Sequence, residues 1–203
     1  MTALRHRRIF LSASFPSGKR GTRFEPFDPG AIADAVTAVA RAVLLAKGRL
    51  LFGGHPTITP LVLMVASELE IEGAVDVFQS QWFAGQITRE TRTLEEAGFG
   101  EIHWTPERAT REQSLETMRE VMLAHDRKLI AGVFVGGMEG VREEFDLFRR
   151  FQPLVPRVSL AGPGGAAARL PMDETRSVLG KHVESRRYPF LASFLVNRLA
   201  ETA

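Results

Sequence analysis

Two carboxylates, Glu143 and Glu144, follow three glycines in the stretch Val133-Phe134-Val135-Gly136-Gly137-Met138-Glu139-Gly140-Val141-Arg142-Glu143-Glu144-Phe145. An apolar, β-branched segment runs into the glycines and a helically spaced segment leaves them, which is how a strand passes to a helix around a bound phosphate. Gly136 and Gly137 carry no Cβ, so the main chain can turn sharply and approach a ligand closely. The following helix offers free N–H groups and the positive end of its dipole to an anion. A carboxylate one turn in can reach a ribose hydroxyl or a bond being broken. Glu144 is the stronger candidate. Glu139 is equally explained as a turn residue in water, and any helix-start carboxylate by the dipole alone. The pattern is neither a Walker motif nor a full dinucleotide fingerprint.

Other residues could serve the same chemistry. Arg119 is the preferred cation, because a guanidinium meets phosphate with a bidentate fork; spacing alone equally describes a solvated helix arginine. His55 could bond a phosphate or ribose, or cap the helix that begins beyond Pro56. Trp82 and Phe83 could stack on a base, or simply pack against the sheet rim. His55, His103 and His125 lack metal-ligand spacing, so no metal is expected, and no motif calls for a cofactor. There is no Gly-x-Ser-x-Gly elbow, and Ser17-Gly18-Lys19-Arg20-Gly21 only imitates a P-loop.

These residues need elements to hold them. Arg8–Ser14 is apolar and strand-like and ends in turn-formers. Asp28-Pro29 then starts a helix in which Ile32, Val36, Val39 and Val43 recur at helical spacing. A second strand, Arg49–Phe52, ends in Gly53-Gly54-His55-Pro56. The segment Leu61–Leu69 is apolar nearly all round, which predicts a helix buried on two sides and suited to a subunit interface. A third strand at Ala74–Phe78, a helix from Phe83 to Ala97, and a short, weak strand at Glu101–Trp104 follow. Next come a helix from Ser114 to His125, the strand Leu129–Val135 with its helix Val141–Phe151, and a last strand, Pro156–Leu160. Asp173–Leu179 and Pro189–Leu199 read as helical. Strands alternating with helices predict an α/β protein, Rossmann-like and doubly wound, with a mainly parallel sheet covered by helices on both faces. In 203 residues with no linker-like stretch, one domain is expected.

Composition narrows the setting. A formal charge of +2 is close to neutral and argues against a general nucleic-acid binder, although Lys19, Arg20 and Arg23 form a local basic loop. No apolar run approaches a membrane span. The absence of cysteine rules out disulfides and thiolate chemistry and suits a cytoplasmic home.

In a doubly wound sheet, ligands bind beyond the carboxyl ends of the strands, where strand order reverses. Four segments place small or polar residues there: Ser12 and Ser14; Gly53, Gly54 and His55; Gly136 to Gly140, including Met138 and Glu139; and Gly164 and Gly165. Any one glycine pair is explained by turn formation. Three pairs on one edge are harder to dismiss, because closely approaching backbones need something to approach.

The central stretch, Val135 to Glu144, resembles the Pro-Gly-Gly-x-Gly-Thr-x-x-Glu motif of the Lonely Guy proteins, members of the SLOG superfamily that also includes the DNA-processing Smf proteins. Met118-Arg119 is similar to their Met-x-x-Arg-Lys region. The resemblance implies a site that holds a nucleoside 5′-monophosphate and hydrolyses its N-glycosidic bond, with Arg119 and Glu144 as the key groups. This chain departs from the pattern: Val135 replaces the proline, one extra residue separates Gly137 from Gly140, and Val141 replaces the threonine. Such divergence fits better with SLOG branches that sense NAD-derived or other nucleotide signals beside effectors such as TIR modules. The expectation is therefore a nucleotide-binding sensor domain acting as a homo-oligomer, a dimer. An active phosphoribohydrolase is the alternative, and a scaffold with a vestigial pocket a third reading.

Overall fold

The computed structural model describes residues 3–124 and 129–202. Six parallel strands form one sheet in the order β4-β3-β2-β1-β5-β6: β1 (Arg8–Ser14), β2 (Arg49–Gly53), β3 (Val75–Ser80), β4 (Glu101–Thr105), β5 (Leu129–Gly136) and β6 (Arg157–Leu160). The chain moves outward from β1 to β4, then returns to the other side of β1 at β5, so strand order reverses between β1 and β5.

Among the described residues, α1 (Gly18–Gly21), α2 (Pro29–Leu45), α3 (Ile58–Glu68), α4 (Arg89–Glu96), α5 (Arg111–Ala124) and α6 (Glu139–Phe151) lie in the connections, and α7 (Asp173–Leu179) and α8 (Tyr188–Thr202) follow the last strand. Helices α2, α3 and α8 bury one face of the sheet with Ile9, Leu11, Leu50, Val77 and Val133. Helices α5 and α6 bury the other with Phe10, Leu51 and Phe134. The doubly wound α/β fold read from the sequence is the fold observed.

Local chemistry explains the element boundaries. The Asp28 side chain accepts from Ala31 N and Pro29 opens α2. The segment expected to be one helix from Phe83 is two pieces. A 3₁₀ stretch covers Gln81–Gln86, and α4 starts only after Thr88, whose hydroxyl accepts from Thr91 N. Helix α5 begins at Arg111, three residues before the expected start, and Thr110 Oγ1 accepts from Gln113 N there; its expected end at His125 lies outside the described residues. Helix α3 is buried along one broad side, and apolar Met64, 50% exposed, stands on the other, so within this chain the helix is not buried on two sides.

At the amino ends of the strands, Asp76 is 2% exposed. Arg49 donates to it at 2.9 and 3.3 Å, Arg8 Nε lies 3.4 Å away, and His103 Nε2 lies 3.0 Å away. This clamp ties β1, β2, β3 and β4 together. Among the described residues, Asp76, Glu101 and His103 form the one group with metal-compatible spacing, but the two arginines already engage the Asp76 carboxylate, and the cluster is explained as an ion-pair network.

No helix among the described residues is long and apolar enough to cross a membrane.

Candidate functional site

At the carboxyl ends of the strands the chain leaves an open cleft of about 990 Å³. This is at the upper end of the usual range for small-molecule sites, roughly 300–1,000 Å³. It is lined by the segments that follow β1, β2, β3 and β5, beside the point where strand order reverses, the place where a doubly wound sheet binds ligands.

Glu144 stands on its wall because α6 is fixed to the sheet through phenylalanines. Phe148 stacks on Phe10 at 5.5 Å between ring centroids, Phe145 meets Phe134 edge-on at 5.0 Å, and Phe134 packs edge-on against Phe10 and Phe148. Aromatic pairs of this kind contribute roughly 0.5–1.5 kcal/mol each beyond the area they bury. With Phe145 and Phe148 facing the sheet, Glu144 faces the strand ends.

The Glu144 carboxylate accepts a hydrogen bond from Ser12 Oγ at 2.6 Å and another from Arg119 Nε at 3.3 Å. The same guanidinium donates through Nη1 to Glu143 at 2.5 Å. Arg119 and Glu144 are nearly enclosed, their side chains 12% and 14% exposed. Arg119 comes from α5, whose Met118 and Met122 are buried against the sheet, with the Met118 Cε 3.1 Å from where a Cβ on Gly53 would stand. A Cβ on Gly140 would stand 3.0 Å from Arg119 Nη2, so a bare residue there lets the guanidinium lie against the first turn of α6. The two residues paired by the resemblance, 25 positions apart in the chain, are in contact.

The glycines divide into two groups. Gly53, Gly54 and Gly140 line the cleft with Ser14, His55, Met138 and Glu139. Gly136, Gly137 and Gly165 are buried behind it and packed against protein. Gly137 has φ +78°, its N–H donates to Ser14 O at 2.7 Å, and a Cβ there would meet Val141 Cγ2 at 2.1 Å. A Cβ on Gly165 would meet the Gly136 backbone at 2.7 Å, and one on Gly164 the carbonyl of Pro26 at 2.2 Å. These bends press main chain on main chain, so their N–H groups serve the fold: Gly165 N donates to Pro26 O and Ala166 N to Gly137 O. The cleft-facing part of the loop is therefore the start of α6, around Glu139 and Gly140, beside the Arg119 guanidinium. Ser12 is likewise buried behind Glu144, 1% exposed, and acts on the cleft through that carboxylate.

His55 Nδ1 accepts from Thr57 N at 3.2 Å and Ile58 N at 3.4 Å, which is the capping role, and burial pushes its imidazole below the ordinary value. Phe83 lines the cleft with the Arg111 guanidinium 5.7 Å from its ring centre, while Trp82 is not among the lining residues. Arg20 of the basic loop also reaches the cleft. The sequence reading passed over Gln79 of β3, a buried amide on the cleft wall.

The family model for the SLOG cluster3 family matches residues 24–192, a span that holds Gly53, Arg119, the glycine loop and Glu144. The chain belongs to the SLOG cluster3 family. This SLOG chain shares its fold with the X-ray structure of TM1055, a structural genomics target, at a TM-score of 0.52 and 16% identity, with 80% of this chain and 79% of that one covered. At that identity the likeness speaks for the architecture alone. No curated protein matches the SLOG chain significantly in sequence.

Proposed function

We propose that the cleft binds a nucleotide or nucleotide-derived ligand, with the α6 amino terminus and Arg119 receiving its phosphate and Glu144 its ribose. The observation that carries this reading is the Ser12–Glu144–Arg119 contact: a carboxylate and a guanidinium fixed side by side at the crevice where strand order reverses. Hydroxyl-rich sugars suit an acceptor such as Glu144, and phosphates suit the guanidinium and the helix start. A sensing role is the form favoured here, because both Glu144 oxygens are engaged and Arg119 is shared with Glu143. A TIR-type effector and a dimeric assembly remain part of this proposal.

Hydrolysis of an N-glycosidic bond is the second reading. It is supported by the contact between the two residues that the family resemblance pairs, since a carboxylate beside the sugar can stabilise an oxocarbenium-like centre or activate water.

Incubation with AMP, NAD and cyclic ADP-ribose, followed by chromatography and by thermal melting, separates these readings. A ligand-dependent rise in Tm without product is expected for a sensor, because a ligand that binds only the folded state stabilises it. Turnover that falls about a hundredfold or more in Glu144→Gln would establish the hydrolase. No thermal shift with any of the three would overturn the nucleotide reading in favour of a scaffold.

A further inference from the structure

Gln79 lies across the Gly53–Gly54 turn from Glu144. Gly53 ends β2 and Gly54 follows it, with Cα atoms about 3.8 Å apart, like any trans-linked neighbours. A Cβ on Gly53 would stand 3.7 Å from Glu144 Oε1, and a Cβ on Gly54 would stand 2.6 Å from Gln79 Oε1. The turn thus has a carboxylate on one side and a carboxamide on the other. Gly54 N donates to Phe78 O at 2.7 Å, which fixes the turn beside Gln79.

Gln79 is 5% exposed, lines the cleft, and no hydrogen bond joins its carboxamide to any described residue. Its carboxamide is not sealed away from the cleft, so it is solvent or a ligand there that satisfies it. The cleft wall carries hydrocarbon from Phe83, Ile87, Ile102 and Leu115, with the Arg111 guanidinium over the Phe83 ring, and Thr91 Oγ1 is engaged by Thr88 at 3.1 Å. Around Glu144 the cleft gathers a dense set of charges, with Glu139, Glu143 and Arg119. A nucleoside has this polarity, with a flat ring bearing a hydrogen-bonding edge at one end and hydroxyls at the other.

We propose that the Gln79 side of the cleft is a nucleobase subsite, in which the carboxamide pairs with a base edge that presents an exocyclic amine beside a ring-nitrogen acceptor. Adenine presents this pattern as N6–H2 beside N7, where guanine has the O6 acceptor instead, and glutamine matches it with two hydrogen bonds, its NH2 to the ring nitrogen and its oxygen from the amine. The ring lies against Phe83 and Leu115, and Gly54 is kept bare so that the amide can stand over the turn. This inference rests on the nucleotide reading of the cleft and adds which end takes the base.

Calorimetric titration of the full chain with AMP, GMP and ribose 5-phosphate tests it. AMP is expected to bind more tightly than GMP or ribose 5-phosphate. Gln79→Met, which keeps the length and removes the hydrogen bonds, is expected to weaken AMP roughly tenfold or more and leave ribose 5-phosphate unchanged. Gln79→Glu keeps an oxygen and removes the amide donor, so it carries the test with the same expected losses if the methionine variant does not fold. Equal affinity of the wild-type chain for AMP and ribose 5-phosphate, or AMP binding indifferent to both substitutions, would overturn the base subsite. In that event ribose 5-phosphate binding that depends on Arg119 leaves the nucleotide reading standing. Failure of all three probes to bind overturns both.

Discussion

Asp76 and Glu144 meet the same layer of the protein, the face of the sheet covered by α5 and α6, from opposite ends of the strands, and each is met by arginine. At the amino ends Asp76 is surrounded by Arg8, Arg49 and His103, all from strands of the one sheet. At the carboxyl ends Glu144 is held by Arg119 from a helix and Ser12 from a strand, beside an open cleft. The first network closes on itself and ties four strands together. The second leaves its ion pair where a ligand can compete for it. Similar pairs of side chains therefore do different work according to what lies beyond them, and the glycine-lined end is the one that opens.

The sharpest way to break this contrast is Asp76→Ala. Removing one partner of a buried ion pair usually costs roughly 3–5 kcal/mol, and with Arg8 and Arg49 each about a quarter to a third exposed the lower end, about 3 kcal/mol, is expected. Urea denaturation should show that loss while the ligand affinity of the folded fraction stays unchanged. If affinity fell instead, the amino-end network would have to be counted as part of the site.

Gly137→Ala should come next, at about 2 kcal/mol. It adds a methyl at φ +78° onto Val141, combining backbone strain with overpacking. Because Val141 is in the first turns of α6, ligand affinity should fall together with the melting temperature. A variant as stable as the wild type would show that α6 can shift to accept it.

Arg119→Ala should mirror Asp76→Ala. Loss of charge-assisted hydrogen bonds is expected to weaken a phosphate-bearing ligand about ten- to a hundredfold, read by calorimetry. Its cost in stability should be smaller than that of Asp76→Ala, since the cleft lets water reach the carboxylates left behind. Equal losses of stability in the two variants would erase the distinction between the ends.

The smallest effect expected is a pH dependence at His55. Its folded-state pKa is lowered by burial, and its Nδ1 accepts from backbone N–H groups, so the neutral ring is the stabilising form. The contribution is complete above the ordinary histidine pKa of about 6.5 and is lost as pH falls from there through the depressed value. Melting temperatures from pH 7.5 to 5 should fall more in the wild type than in His55→Asn.

Much of the fold was legible because the strands are buried on both faces and read as continuous apolar runs, so β1 was bounded at Arg8 and Ser14 by its composition alone. The edge strand β4 gave only a weak signal, since Glu101, His103 and Trp104 mix polar residues into a strand with one open side. The break between Gln86 and Arg89 was hidden because Thr88 reads as one more polar helix position until its hydroxyl is seen on Thr91 N. Arg119 and Glu144 were each legible as candidates from residue chemistry, and the resemblance gave both a role, but their contact was not legible because no local spacing joins α5 to α6. Gln79 had no local signature either: in Val-Asp-Val-Phe-Gln-Ser it looks like strand alternation, and what singles it out, the bare Gly54, lies 25 positions upstream. Gly164 and Gly165 shared the signal of the cleft glycines because a loop pressed on its neighbour and a loop pressed on a ligand both exclude a side chain.

That last pair has a practical consequence. The seam in which Gly165 touches Gly136 and Gly164 touches Pro26 leaves no thickness for a methyl group, so the loops after β1, β5 and β6 are stitched into a single rigid backing. A saturation screen for lost activity will mark Gly164 and Gly165 as intolerant positions, and drawing the ligand's footprint from such a map would place it on the wrong side of the wall.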